Sequence, residues 1–130
     1  MPIRYLLWDF DGTLFDTYPA LNAGIRRVLG DLGHHESAGT IAALLAQTLN
    51  ICINTLIDKY NLDRNDFETR LETYFDQITP DQRPPFPGAI ELCQRLVAAG
   101  GQNYIFTHRG RATLLPLLDH CLLYTSDAAD

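Results

Sequence analysis

Residues 3–17 of the chain read IRYLLWDFDGTLFDT, and this stretch decides the fold. The run from Ile3 to Trp8 is apolar, short and without the alternation of a half-exposed strand. Such a run is typical of a strand that is buried on both faces of a parallel sheet. Asp9 and Gly12 interrupt it, so we expect a buried strand whose carboxyl end carries acidic side chains.

The rest of the chain alternates between helical and strand-like patterns. Apolar residues recur at helical spacing over residues 18–33, 40–60 and about 65–78, and a linker with four prolines, TPDQRPPFPG, occupies residues 79–88. After the linker come a helical stretch (89–99), a β-prone run (NYIFT, 103–107) and a further helix (111–119). In the last helix, Pro116 fits the first turn if Thr113 is the N-terminal cap.

This order predicts an α/β protein with a Rossmann-like parallel sheet and an all-helical insertion. We place the α/β core at residues 1–15 and 86–120 and the insertion at residues 16–85. Two strands make a poor sheet, because a doubly wound domain needs about five. The core is therefore expected to be incomplete in this chain, with much of the first strand's apolar surface uncovered.

The charge pattern excludes several partners. The formal net charge is -6 and no basic run is present, which disfavours binding to nucleic acid or to an anionic membrane. The apolar run near the N-terminus is too short for a signal sequence or a membrane span. We therefore expect a cytoplasmic protein whose partner is a small molecule.

Two carboxylates follow the first strand at a spacing that matters. In extended backbone, residues i and i+2 point the same way, so Asp9 and Asp11 can face one volume beyond the strand. The carboxyl edge of an open parallel sheet is where ligands bind. Gly12 then allows a sharp turn and a close approach of the backbone to a ligand.

Paired acids at such an edge suit metal-assisted phosphoryl transfer. Mg²⁺ prefers oxygen ligands and shares its coordination shell with water and substrate phosphate. One carboxylate can attack phosphorus, and a second can protonate the leaving oxygen and later activate water. Asp9 and Asp11 are therefore candidate catalytic residues and candidate Mg²⁺ ligands.

The segment DFDGTLFDT (9–17) resembles the first signature motif of the haloacid dehalogenase superfamily, whose phosphatase branch reads DxDGT. The resemblance implies that Asp9 is the nucleophile and a Mg²⁺ ligand. It implies that Asp11 is the general acid/base and offers its backbone carbonyl to the metal. The dehalogenase branch lacks the second acid, so Asp11 favours a phosphatase or phosphotransferase.

The second motif of that superfamily is a short hydrophobic strand ending in Thr or Ser, and YIFTHR (104–109) is similar to it. The resemblance implies that Thr107 holds the substrate phosphate. Arg109 is a further candidate, because a guanidinium matches the geometry of phosphate, and Gly12 completes the candidate phosphate-binding set. The helical insertion resembles the superfamily's cap domain, and the match is closest to the phosphoglycolate phosphatase-like group, which acts on small phosphorylated metabolites.

Two later motifs of the superfamily have no counterpart in this sequence: a Lys or Arg that neutralises the nucleophile and phosphate, and an acidic pair that completes the Mg²⁺ shell. The single lysine, Lys59, lies in the expected insertion. Residues 121–130 (CLLYTSDAAD) resemble translated sequencing adapter, so we expect a non-native tail. We expect this chain to be a C-terminally truncated fragment, nearly inactive alone, of a working enzyme.

Two alternatives to a phosphate monoester hydrolase stay open at this point. A phosphosugar mutase would use the same aspartyl-phosphate and return the phosphate to a sugar. A non-catalytic binding or regulatory module would keep the fold without the later motifs. The two motifs do not separate these three functions, and they do not define the oligomeric state.

Overall fold

A computed structural model describes residues 2–107 and 109–120 of the chain, so the expected non-native tail at residues 121–130 lies outside the described residues. The helices and strands follow in the order β1 (Tyr5–Trp8), α1 (Tyr18–Asp31), α2 (Ala38–Leu45), α3 (Leu49–Tyr60), α4 (Arg64–Asp76), a short 3-10 turn (Pro80–Gln82), α5 (Ala89–Ala98), β2 (Gln102–Ile105) and α6 (Arg111–His120).

The chain divides into two compact units. The segment up to Thr17 and the segment from Pro80 onward form one, called the α/β unit below, and Tyr18–Thr79 forms the other, called the helical unit. The sequence pattern predicts these divisions after residues 15 and 85. The proline-rich linker instead belongs to the α/β unit, because residues 84–86 bond to residues 14–16 through Asp16 N–H to Pro84 carbonyl (2.7 Å) and Phe86 N–H to Leu14 carbonyl (3.0 Å).

The sheet of the α/β unit consists, in the described residues, of two parallel strands. β1 and β2 pair in the register Tyr5↔Gln102 to Trp8↔Ile105, and α5 packs against β2. The predicted α/β class with a parallel sheet is confirmed. Tyr5 is 64% exposed and Leu7 72%, which agrees with the expectation that the incomplete core leaves apolar surface of β1 uncovered. The pattern of a strand buried on both faces is therefore not realised in this chain. One face is covered, and none of the described residues forms a second layer on the other.

The core of the α/β unit is assembled around the turn that follows β1. Phe10 and Phe15 are fully buried and stack with ring centroids 4.6 Å apart. The other buried members of this cluster are Leu14, Ala89, Cys93, Leu117 and Leu118. Residues next to the expected catalytic acids therefore anchor the core on which α5 and α6 pack.

Helix α6 begins at Arg111, where the sequence pattern places it, but Thr113 is not its N-terminal cap. The Gly110 carbonyl accepts hydrogen bonds from the backbone N–H of Thr113 (3.2 Å) and Leu114 (3.1 Å), and also from the Thr113 hydroxyl (3.1 Å). Thr113 therefore lies inside the first turn instead of capping it. Pro116 falls in the helix interior, where it removes a backbone donor.

In the helical unit, capping residues explain where helices begin. The side chains of Ser37, Thr48 and Asp63 accept hydrogen bonds from backbone N–H groups in the first turns of α2, α3 and α4. The buried core of this unit consists of Ile25, Val28, Leu29, Ile41, Leu45, Cys52, Leu56, Phe67 and Leu71. In the part of the chain that the structure describes, no helix is long and apolar enough to cross a membrane.

A buried carboxylate joins two segments of the helical unit. Glu36, which precedes α2, is 8% exposed and accepts hydrogen bonds from Lys59 Nζ and from the Tyr60 hydroxyl (2.6 Å). The Lys59 hydrogen bond, and then that of Tyr60, lower the pKa of Glu36 below its ordinary value. The same contact with Glu36 raises the pKa of Lys59 and of Tyr60. The single lysine of the chain is thus held within the helical unit.

These shifts predict how stability depends on pH. A carboxylate with a lowered folded pKa stabilises the fold above its ordinary value of 4.5, and this contribution is lost as the pH falls through the folded pKa. Because the pKa of Lys59 is raised in the folded state, its ammonium group stabilises the fold below pH 10.5, and this stabilisation is lost as the pH rises through the folded pKa. Glu36→Gln should flatten both limbs of the curve of unfolding free energy against pH, measured by urea titration. Glu72→Gln, at an exposed position of α4, is the matched control. Equal curves for wild type and Glu36→Gln would contradict this account.

Candidate active site

The two sequence motifs meet at the carboxyl edge of the sheet. β1 and β2 end together at the Trp8–Ile105 pair, and one further hydrogen bond joins the Phe106 N–H to the Trp8 carbonyl (2.8 Å). Asp9 follows directly on β1, and Thr107 follows β2 by two residues. Parallel pairing thus brings residues from opposite ends of the chain to one edge, where open α/β sheets bind ligands.

A tight turn holds the first motif. The Phe10 carbonyl accepts hydrogen bonds from the N–H groups of Thr13 (3.3 Å), Leu14 (3.0 Å) and Phe15 (3.1 Å). Gly12 has a positive φ of 74°, a conformation that glycine adopts without strain, and its N–H donates to the Phe15 carbonyl (2.8 Å). The Gly12 amide is therefore part of the turn, and the phosphate-binding role of Gly12 stays a prediction.

Asp9 is exposed, and both of its carboxylate oxygens accept a hydrogen bond. The backbone N–H of Phe10 donates to Oδ1 (3.0 Å), and the Thr13 hydroxyl donates to Oδ2 (3.3 Å). These two donors fix the orientation of the carboxylate, and each oxygen keeps a second lone pair. The geometry suits a group that must present an oxygen to a ligand while its rotamer is held.

Asp11 is held more tightly. Its Oδ1 accepts hydrogen bonds from the buried Thr17 hydroxyl (2.6 Å) and from Arg109 Nη2 (2.6 Å), and Arg109 Nε lies 3.2 and 3.3 Å from its two oxygens. The side chains of Asp11 and Arg109 are 29% and 20% exposed. A forked, partly buried guanidinium–carboxylate pair is stronger than an exposed ion pair.

Arg109 is itself positioned by the second motif. Its backbone N–H donates to the Thr107 hydroxyl (3.0 Å), and its guanidinium lies 5.6 Å from the centre of the Phe10 ring. Since Thr107 Oγ1 accepts this bond, its hydroxyl proton remains able to donate to another group. Asp11, Thr107 and Arg109 thus form one connected set, which joins the ends of both strands.

Arg83, from the proline-rich linker, lies near this set. Its pKa is lowered first by burial, then by the positive charge of Arg109, and the charge of Asp11 acts in the opposite direction. The backbone N–H of Arg83 donates to the Pro80 carbonyl (3.0 Å), and the carbonyl of the next residue, Pro84, accepts a hydrogen bond from the backbone N–H of Asp16 (2.7 Å). The backbone of Arg83 is therefore fixed beside the first motif.

The sequence patterns alone assign no role to Thr13, Thr17 or Arg83. The two threonines lie inside the DGTLFDT segment, so a signal was present in the motif itself. Arg83 carries no local signal, because its approach to Asp11 depends on the return of the chain after the helical unit. Asp9 and Asp11 remain the candidate catalytic pair.

The donor set can be compared with what Mg²⁺ requires. Among residues 2–107 and 109–120, no group of three or more His, Cys, Asp or Glu side chains is arranged to hold a metal ion. Mg²⁺ needs fewer protein ligands than this, since one or two carboxylate oxygens, water and substrate phosphate can complete its shell. The Asp9 carboxylate and the Asp11 backbone carbonyl fit that requirement.

A strand that ends in DxDGT, a second parallel strand that ends in Thr and an inserted helical unit define a class of hydrolases that have an α/β core. The family model described as haloacid dehalogenase-like hydrolase matches residues 6–125. The chain belongs to this family, as the sequence motifs predicted.

Several solved structures share this fold. A predicted phosphoglycolate phosphatase from Haemophilus somnus matches with a TM-score of 0.77 at 18% identity, covering 95% of this chain and 60% of that one. A Thermotoga maritima protein described as a putative β-phosphoglucomutase matches with a TM-score of 0.74 at 17% identity, covering 93% and 57%. A Deinococcus radiodurans family hydrolase with bound phosphate and sodium matches with a TM-score of 0.66 at 23% identity, covering 94% and 54%.

This chain therefore spans less than two thirds of the length of the structures it resembles. No protein of curated function matches the sequence. At these identities the structural likeness establishes the fold, and the substrate has to be argued from the site.

The Asp11–Arg109 pair predicts a measurable coupling. Arg109→Gln leaves a partly buried carboxylate without its charged partner and should lower the free energy of unfolding by about 1–3 kcal/mol. In the double variant with Asp11→Asn, the loss should be less than the sum of the single losses by roughly 1–2 kcal/mol. Urea unfolding followed by the fluorescence of Trp8, the single tryptophan, measures both quantities.

Arg95→Gln, at an exposed position of α5 in the same unit, is the control and should leave the free energy of unfolding near that of the wild type. Additive losses for Asp11→Asn and Arg109→Gln would mean that the pair contributes nothing beyond two independent side chains.

Proposed function

We propose that this chain carries the nucleophile and phosphate-binding half of a phosphate monoester hydrolase that forms an aspartyl-phosphate on Asp9. The observation that carries the proposal is the contrast between the two acids. Asp9 is exposed at the carboxyl end of β1, whereas Asp11 is tied to Thr17 and Arg109. Two carboxylates in different environments suit two different roles.

In the first step, an Asp9 oxygen attacks phosphorus as the bond from phosphorus to the leaving oxygen breaks. Asp11, in its protonated form, gives its proton to the leaving oxygen, so the product alcohol departs neutral. Thr13 and the Phe10 N–H hold the Asp9 carboxylate in one orientation, which reduces the entropy lost on reaching the transition state.

In the second step, water attacks the aspartyl-phosphate. Asp11, now ionised, takes a proton from the water as the new bond to phosphorus forms and the bond to the Asp9 oxygen breaks. Inorganic phosphate leaves, Asp9 is again a carboxylate and Asp11 is again protonated. One acid thus serves as general acid and then as general base.

Arg109 and Thr107 link this chemistry to substrate binding. In the geometry described above, Arg109 hydrogen-bonds to both carboxylate oxygens of Asp11. A phosphate that enters beside Thr107 competes with Asp11 for the guanidinium, because both present oxygens to the same fork. Movement of Arg109 toward phosphate would leave the Asp11 side chain able to face the leaving oxygen of the substrate.

Mg²⁺, when bound, would offset the repulsion between the Asp9 carboxylate and the substrate phosphate. The residues of this chain that would hold it are Asp9, through its carboxylate, and Asp11, through its backbone carbonyl. The bound phosphate in the Deinococcus radiodurans structure supports a phosphate-binding role for this fold.

The substrate we propose is a small phosphorylated metabolite, as in the phosphoglycolate phosphatase-like group. The phosphosugar mutase alternative keeps support from the Thermotoga maritima structure described as a putative β-phosphoglucomutase. Both functions share the aspartyl-phosphate on Asp9 and differ in what accepts the phosphoryl group. Water as acceptor gives inorganic phosphate, and a sugar phosphate as acceptor gives an isomer.

Trapping the aspartyl-phosphate intermediate on Asp9 tests this proposal. p-Nitrophenyl phosphate has a leaving group that needs no protonation, so Asp11→Asn should still allow attack by Asp9 while slowing the attack of water. The Asp11→Asn chain, mixed with this ester and Mg²⁺, should therefore accumulate phosphorylated Asp9. Borohydride reduction and peptide mass spectrometry would locate the modified residue.

Two further variants make the result decisive. Asp9→Asn should give no labelled protein and no release of nitrophenol above the uncatalysed rate. Asp58→Asn, an exposed aspartate of α3, should behave as the wild type. Label on a residue other than Asp9, or unchanged turnover in Asp9→Asn, would exclude the proposed nucleophile.

A further inference from the structure

Three independent contacts fix the place of Arg83. The backbone N–H of Arg83 donates to the Pro80 carbonyl, and the carbonyl of the neighbouring Pro84 accepts a hydrogen bond from the Asp16 N–H. Pro85 forms a β-bridge with Phe15. Helix α6, which begins just after Arg109, packs against the same 3-10 turn. The linker backbone is thus held between the first motif and α6.

Two guanidinium groups and one carboxylate come close together at this point. Phe15 forms bridges with both Asp11 and Pro85, so the linker backbone runs beside Asp11, and Arg83 is half-buried there. The charges of Arg109 and Asp11 act on the pKa of Arg83 in opposite directions, as expected for a guanidinium that lies near both groups. A second guanidinium beside the Asp11–Arg109 pair adds positive charge that an entering phosphate can balance.

We propose that Arg83 is a second phosphate-binding residue, which acts with Arg109 to hold the phosphoryl oxygens of the substrate beside Asp11. This inference rests on the proposed function and extends it. The chain's single lysine is bound to Glu36 in the helical unit, so Arg83 supplies positive charge to the α/β unit from outside both signature motifs.

The position of Arg83 also gives it a particular task. Arg109 binds Asp11 in the structure, so a phosphate that captures Arg109 removes a positive charge from Asp11. Arg83, held by the linker backbone, keeps a cation near both the phosphate and Asp11 during that exchange. Its contribution is therefore to phosphate affinity, and it takes no part in breaking the phosphorus–oxygen bond.

Binding of inorganic phosphate to the whole 130-residue chain tests this without turnover. Trp8 immediately precedes Asp9, so its fluorescence reports on the occupied site, and isothermal calorimetry gives an independent Kd. Arg83→Gln should weaken phosphate binding by about tenfold or more, the loss expected for one charge-assisted hydrogen bond. The Kd of Arg83→Lys should lie between those of the wild type and Arg83→Gln, since lysine keeps the positive charge and loses the planar fork. Arg95→Gln should bind as the wild type does.

A second readout uses the unaltered protein, so it does not depend on how the variants fold. In ¹⁵N-labelled wild type, the side-chain Nε–H signals of Arg83 and Arg109 should both shift with phosphate, with the same Kd, while that of Arg95 stays in place. Asp11→Asn should bind phosphate more tightly than wild type, because it removes the carboxylate that competes for these arginines.

The proposal is overturned if the Arg83 signal does not move as phosphate saturates the site, if folded Arg83→Gln binds phosphate as tightly as wild type, or if the wild type binds no phosphate. The outcome is separable from that of the hydrolase proposal. Label on Asp9 with no response at Arg83 would reject only the role of Arg83, and phosphate-dependent shifts at Arg83 with label on a residue other than Asp9 would reject only the proposed nucleophile.

Discussion

The burial of Phe10 is the constraint on which the rest of the site depends. Phe10 stands between the two acids and is fully buried against Phe15, so the backbone must turn Asp9 and Asp11 away from the core. Its carbonyl closes the turn by accepting three backbone hydrogen bonds. The apolar core and the polar site therefore share one residue, and a change that loosens Phe10 would disorder both acids together.

From that turn, the site extends to distant parts of the chain through polar contacts. Asp11 binds Arg109 from the segment after β2, and the Thr107 hydroxyl accepts a hydrogen bond from the backbone N–H of Arg109. Arg83 joins from the linker that follows the helical unit. Because these groups come from three separate segments of the α/β unit, the site exists only when the strands are paired and the linker is docked. Folding and phosphate binding should consequently be coupled in this unit.

The features that could be predicted from sequence are those governed by local rules. Apolar periodicity and the DxDGT run indicate the element order, the parallel α/β class and the acids at a strand end. The features that could not be predicted depend on distant contacts. Arg83 approaches Asp11 only after the chain has folded back. The placement of Pro116 in the first turn of α6 was wrong for a related reason. The first turn is closed by hydrogen bonds to the Gly110 carbonyl and not by a Thr113 cap.

The central claim is that the carboxyl edge of this sheet binds a phosphoryl group on Asp9. Beryllofluoride mimics a phosphoryl group on an aspartate, so a crystal structure of the chain with beryllofluoride and Mg²⁺ tests the claim most directly. The account predicts density for the trifluoride joined to an Asp9 oxygen, with fluorines within hydrogen-bond distance of Thr107 and at least one of Arg83 and Arg109. Beryllofluoride bound at another carboxylate, or an unmodified Asp9 in crystals saturated with the reagent, would contradict it.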